Sequence, residues 1–163
     1  MPKIIKDRQI IDDRYQPISE GELPANGAVC VSLAYFQEHR EAFLAHSGPK
    51  AVELKPDQHP ELLGDAVTQL DMIALHFPAF ADGRGYSHAW LLRNRMGFTG
   101  ELRATGDVFK DNLFYLKRCG FDSFAVRADK NIDVALTGLD DFSEAYQASV
   151  DQPLPLFRRR LAR

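Results

Sequence analysis

Apolar and polar positions change period in a regular way along the chain. The opening IIKDRQIIDDRYQPI has strand character, and a cluster of Gly21, Pro24 and Gly27 then marks a connection. From there, short apolar runs alternate with stretches of helical spacing. The runs are AVCVSLA (28–34), AVELK (51–55), MIALHF (72–77), ELRAT (101–105) and SFAVR (123–127). Short, β-branched and largely apolar, they suit strands covered on both faces. Between them, Phe36, Phe43 and Leu44 fall at helical spacing and a weaker helical piece covers 60–70. Helices are predicted over 86–96 and 108–119, and a last one over 138–148. Phe109, Leu113, Leu116 and Cys119 share one apolar face, with Asp107 placed to cap their helix.

Five βα units in succession predict an α/β fold with a mainly parallel sheet, because parallel neighbours need helical crossovers and those crossovers are right-handed. An open doubly wound sheet and a partial (β/α)-barrel both satisfy the pattern, and about five strands fall short of the eight in a closed barrel. The chain divides into an N-terminal extension (1–26) with room for a hairpin, a β/α domain (27–150) and a basic C-terminal tail (151–163). In either architecture ligands gather at the C-terminal ends of the strands.

Composition narrows the function classes. An apolar share of 45% against 26% charged residues belongs to a globular chain. A net charge of -3 supplies no field that would gather nucleic acid or an anionic membrane. Arg158, Arg159, Arg160 and Arg163 make the tail locally basic, the pattern of a solvated terminus. No apolar run approaches the ~18 residues of a membrane span, and the polar start lacks a signal core, so a cytoplasmic protein is expected. Cys30 and Cys119 are too few for a disulfide scaffold, and the five histidines show no ligand spacing. No metal site or cofactor motif is therefore expected, and the chain carries no nucleophile elbow, Walker loop or full dinucleotide fingerprint.

Candidate chemistry collects after MIALHF. The loop PAFADGRGYS brings Asp82, Arg84, Tyr86 and Ser87 to a strand-to-helix junction, where helix N–H groups and a guanidinium together suit a small anion. ELRAT carries Arg103 and Thr105 toward the adjoining loop with Asp107. Arg84, Tyr86, Ser87 and Arg103 are thus the anion-binding candidates. Asp82, Asp107 and His76 are the candidates for proton transfer, His76 because imidazole titrates near neutrality. The same side chains also suit structural duty: Asp82 and Ser87 as turn braces, and Arg103 as the partner of an aspartate. Cys30 and Cys119 lie on apolar faces and read as core thiols.

The string FADGRGYSHAWLLRNRMGFTGELRATGDVFKDNLFYLKRCGFDSFAV, from Phe80 to Val126, closely resembles a proteobacterial family of uncharacterised proteins labelled with an oxidoreductase role in sulfite reduction. Its characteristic positions include Asp82, Gly83, Arg84, Tyr86, Ser87, Arg93, Gly100, Glu101, Arg103, Gly106, Asp107, Arg118, Gly120, Phe121 and Asp122. Asn112 departs from the family pattern, which carries a Gln there. The family's genes lie beside that of the sulfite reductase haemoprotein, so the resemblance implies an accessory or electron-delivery role with that haemoprotein as partner. Two other functions fit the residues: a small-anion-binding enzyme of partial-barrel type, and a structural or assembly subunit whose exposed sheet edge is covered by a partner or a second copy in a homo-oligomer.

Overall fold

Three strands already lie within residues 3–18. In this computed structural model, which describes residues 2–161, β1 (Lys3–Lys6) and β2 (Gln9–Asp12) form a hairpin. Its two-residue turn holds Asp7 and Arg8 at positive φ, the backbone twist that tight hairpins require. β3 (Tyr15–Ile18) follows at once, then β4 (Ala28–Ser32), α1 (Leu33–Glu38), α2 (Arg40–Leu44) and β5 (Lys50–Leu54). A 3-10 segment (Pro60–Gln69) leads to β6 (Met72–Phe77), α3 (Arg84–Asn94), β7 (Glu101–Gly106), α4 (Lys110–Arg118) and β8 (Ser123–Phe124). α5 (Ile132–Thr137) and α6 (Leu156–Leu161) complete the order.

All strands join one eight-stranded sheet in the order β2-β1-β8-β7-β6-β5-β4-β3. The five anticipated runs are β4 to β8, and the expected total of about five is corrected to eight by the three strands of the N-terminus. From β3 to β8 neighbours are parallel and follow chain order without reversal. Right-handed crossovers then carry the helices to one face, and the sheet curls into a half-barrel rather than an open doubly wound sheet. Connectivity enforces the curl. The two edge strands, β2 and β3, are separated in sequence by Asp13 and Arg14 alone. Such a link spans at most about 11 Å, so the edges must approach one another where Asp12 leaves one strand and Tyr15 enters the other.

Alternation along each strand sorts the side chains between the two faces. On the convex face Val29, Val31, Val52, Leu54, Ile73, Leu75, Leu102, Ala104 and Phe124 meet Phe36, Phe43, Leu63, Leu92, Leu113 and Leu116 in the main core. Each of the large side chains contributes about 1.5–3 kcal/mol by leaving water. The intervening positions face the concave side, where Tyr15, Ala28, Ala51, Met72 and Ala74 form a separate small cluster.

Two helical expectations are corrected. The last helix starts earlier than 138–148: the Asn131 side chain accepts the Asp133 and Val134 N–H groups at 2.8 and 3.0 Å and so starts α5 there. Helical structure then ends in a short 3-10 turn over Gly138–Asp140. The piece over 60–70 is 3-10 and broken at Gly64, whose φ of 57 is non-helical. The basic tail is partly ordered as α6, where Arg159 pairs with Glu144 at 3.2 Å. Arg163 lies outside the described residues. Among the described residues no helix is long and apolar enough to cross a membrane.

Candidate functional site

The concave wall has its own chemistry. Strand register sets Ser32, Glu53, Ala74, Arg103, Ser123 and Lys6 in one row across β4, β5, β6, β7, β8 and β1. Arg103 is 4% exposed, and its whole fork is engaged. It donates to both oxygens of Asp13 at 2.9 Å, to Glu101 at 2.7 and 3.1 Å, and to Ser123 at 3.1 Å. Lys6 reaches the other oxygen of Glu101 at 2.7 Å. Burial by itself would raise the Glu101 pKa, but the Lys6 hydrogen bond and the Arg103 charge outweigh it and leave the carboxyl below its ordinary range. Two cations thus balance two carboxylates, as buried charges require. Asp13 is the residue that links β2 to β3, so the network also ties the sheet's edges to its centre.

Nearer the C-terminal strand ends, a second group remains part-exposed. The Thr105 hydroxyl donates to Glu53 at 2.7 Å, and His76 Nδ1 lies 3.3 Å from the same hydroxyl oxygen and 4.0 Å from Glu53. With its hydrogen given to Glu53, Thr105 can only accept from His76. A neutral His76 then carries hydrogen on Nδ1 and a free lone pair on Nε2, the form of a general base. Glu53, Thr105 and His76 come from β5, β7 and β6, close to the strand ends where barrel enzymes place their working groups.

Below them a cleft of about 480 Å³ opens, lined by Tyr15, Pro17, Cys30, Met72 and Ala74 together with Asp13, Glu53, Arg103 and Thr105. Tyr15 is 6% exposed, and its hydroxyl makes no hydrogen bond among the described residues. Burial raises its pKa, opposed by the contact and charge of the neighbouring Arg14, and the Arg14 and Arg103 guanidinium groups lie 5.3 and 5.2 Å from the ring centre. Burial also pushes the Cys30 thiol up to about 12, with Glu53 adding to the effect, so it is no nucleophile at neutral pH. A hollow of about 450 Å³ beside α1 and α2 has a simpler character. Its Tyr35 and His46 are tied to the loop carbonyls of Gly21 and Gly27.

The residues singled out by sequence are divided between separate places. Arg84 opens α3 and is held by Asp82 through contacts of 2.6 and 3.0 Å. The Arg84 guanidinium keeps the Asp82 carboxyl down at about 2. An internal carboxylate therefore occupies the fork that an anion would take. Tyr86 packs against the rings of Phe77 and Tyr115 at tilted angles, and burial pushes its hydroxyl up to about 12, while Ser87 is exposed in the first turn of α3. Gly85 is needed for packing, since a Cβ there would stand 2.5 Å from the Phe77 ring.

Arg103 points to the concave wall, not to the loop. Asp107 does join neighbouring loops, accepting the Phe80 N–H at 2.7 Å and pairing with Arg127 at 2.6 Å. It does not cap α4 through its side chain, which corrects that expectation. Asn112 does so instead, accepting from Phe109 N–H at 3.0 Å and donating to the Asp107 carbonyl at 2.9 Å. The shorter amide therefore retains a specific use. Gly106 lets β7 pass close to β6: its φ is +87, and a Cβ would lie 2.2 Å from the Phe77 carbonyl.

Several characteristic residues are braces. Arg93 donates to the carbonyls of Phe98, Gly100 and Gly120 at 2.8 to 3.0 Å, and to Asp122 at 3.0 Å. Asp122 in turn accepts the Leu102 N–H at 2.9 Å. Arg118 holds Asp151 and the Gln147 carbonyl, fastening the chain after α5 to α4. Sequence reasoning passed over Asp13, Tyr15 and Glu53. Glu53 had a readable signal, a carboxylate at the centre of the otherwise apolar run AVEL. Tyr15 and Asp13 had none, because their relation to Arg103 spans 88 to 90 positions and depends on the curl. Among the described residues no cluster of His, Cys, Asp and Glu is arranged to hold a metal ion.

Among curated proteins none matches the chain. A family model does match, over residues 51–157, about two-thirds of the chain. The span runs from β5 into α6, taking in Glu53, His76, Arg103 and Thr105 and leaving out Asp13 and Tyr15. The chain belongs to this family, the bacterial proteins of unknown function designated DUF934.

Proposed function

We propose that this protein is an accessory or electron-delivery component of assimilatory sulfite reduction in proteobacteria, acting in the cytoplasm with the sulfite reductase haemoprotein. Support begins with the resemblance carried by Phe80 to Val126. The observation that carries the reading structurally is the apolar surface on and around α4. Tyr115, Phe142, Tyr146 and Phe157 are 54 to 70% exposed. Phe142 meets Phe114 of α4 edge to face at 4.9 Å, and the Leu156 N–H bonds to the Tyr146 carbonyl, which ties the C-terminal segment to the stretch after α5. Exposed aromatic groups of this kind favour a protein partner. The test is a pull-down with the tagged protein from cells growing on sulfate, paired with growth of a deletion strain on sulfate and on cysteine. Recovery of the haemoprotein and a defect on sulfate alone are expected; equal growth on both sulfur sources would sink the role.

A second reading, a small-molecule enzyme of the partial-barrel type, is favoured by the bonded set of Glu53, Thr105 and His76. In it Nε2 of His76 takes a proton from a bound substrate, and Thr105 with Glu53 orients the ring. A pH-rate profile that loses its acid-side limb in His76→Gln is the expected signature.

A further inference from the structure

The concave cleft combines four features that together specify a ligand. The first is a carboxylate without a strong cation. Glu53 takes one hydrogen bond from Thr105, and among the described residues its one ion-pair contact is His76 at 4.0 Å. The nearby Arg103 is fully engaged with Asp13, Glu101 and Ser123. The second is charge. Asp13, Glu53 and Glu101 face Arg103 and Lys6 on this wall, an excess of one negative charge that disfavours an anion.

The third feature is space beside an apolar wall. Ala51 and Ala74 project no side chain beyond a methyl group on the strands around Glu53, and Tyr15, Pro17 and Met72 line the adjoining volume. About 480 Å³ lies within the range of small-ligand sites. The fourth is the Tyr15 hydroxyl, buried beside the Arg14 guanidinium but without a well-formed hydrogen bond. A buried hydroxyl so placed has bonding capacity left for a ligand.

We propose that this cleft binds a small organic cation, a compact apolar body bearing a primary ammonium group, with Glu53 holding the ammonium and the Tyr15 hydroxyl bonding a second polar group. The body packs on Tyr15, Met72 and Ala74, and the ammonium sits where Thr105 already orients one Glu53 oxygen. The inference deepens the partial-barrel reading and takes from it only the location of the site. It is independent of the accessory role.

Benzylamine, benzyl alcohol and benzoate share one ring and differ in one polar group, so calorimetric titration of the full chain with the three isolates the charge. Saturable binding of benzylamine is expected, with benzyl alcohol at least tenfold weaker and benzoate weaker still. Glu53→Gln should weaken benzylamine at least tenfold while circular dichroism shows the fold intact. Tyr15→Phe should leave benzylamine almost unchanged, yet remove the advantage that 2-amino-2-phenylethanol, with its added hydroxyl, holds over it. Equal affinity for all three probes, preference for benzoate, benzylamine binding untouched by Glu53→Gln, or no saturation by any amine at millimolar concentration would each overturn the proposal. Binding that survives His76→Gln unchanged keeps the site, while the enzyme reading stands or falls on its own pH-rate profile.

Discussion

Asp13 is a short side chain on the link between the two edge strands, and it faces the most completely engaged arginine in the protein. Asp13→Asn keeps its volume and one acceptor while removing its charge. The hydrogen-bonded network then holds Lys6 and Arg103 against Glu101 alone. At a separation of about 4 Å and an effective dielectric near 20, one such pair is worth about 4 kcal/mol. Loss of one partner from a buried pair costs about 3–5 kcal/mol by comparison with other proteins. Arg103 and Asp13 side chains are 5% and 15% exposed, so the buried figure applies.

Arg8 and Asp140 form an ion pair at 54% and 64% exposure and provide the control, since water screens an exposed pair and Asp140→Asn should change stability little. Urea unfolding followed by circular dichroism, at constant slope, measures both variants. In melting temperature the expected loss for Asp13→Asn is roughly 6–20 °C, at about 2–4 °C per kcal/mol for a chain of this size. Adding Arg103→Met to Asp13→Asn leaves Glu101 with Lys6 and should recover much of the loss. If Asp13→Asn costs no more than Asp140→Asn, the concave network is solvated, and the account of Asp13 as the tie between sheet edge and centre is wrong.

Tyr15→Phe removes a buried hydroxyl whose contact with Arg14 is not a well-formed hydrogen bond, so the stability of the ligand-free protein, read from the urea midpoint, should change by less than about 1 kcal/mol; a larger loss would mean that the hydroxyl is firmly bonded. Burial raises the pKa of both thiols, Cys30 to about 12 and Cys119 in the same direction. Ellman's reagent at pH 8 should therefore find almost no reactive thiol in the native protein and two after denaturation. Glu101 binds protons more weakly folded than unfolded, so its contribution to stability is complete above its ordinary 4.5 and drains away as pH falls through the lower folded value. Glu101→Gln should accordingly flatten the acid limb of a stability-pH profile, and an unchanged limb would place the acid sensitivity elsewhere.

Strand identity was legible locally. β4 to β8 are short apolar runs bounded by turn residues, and burial on the convex face selects for that pattern whatever the rest of the chain does. The α/β class followed from their alternation with helices. The last helix was misplaced because the Asn131 side chain starts α5 early; the helix at 108–119 was placed correctly, but Asn112, not Asp107, supplies its side-chain cap.

The candidate site was legible only in part. His76, Thr105 and Arg103 stand on strands whose ends sequence could locate, but face could not be assigned from loops alone. Arg84 and Arg103 looked like partners because their strand-end segments are close in sequence; Arg84 lies at the start of a helix on the convex side, while Arg103 occupies the concave wall. By itself the sequence determined the elements and the apolar face of each, because those depend on period and local turn chemistry. Only the tertiary structure decided that β2 and β3 stand at the two edges of a curled sheet. That curl brings Asp13 and Tyr15 to Arg103 and sets Glu53 over the cleft beside them, since contacts across a barrel join residues whose separation in sequence carries no periodic trace.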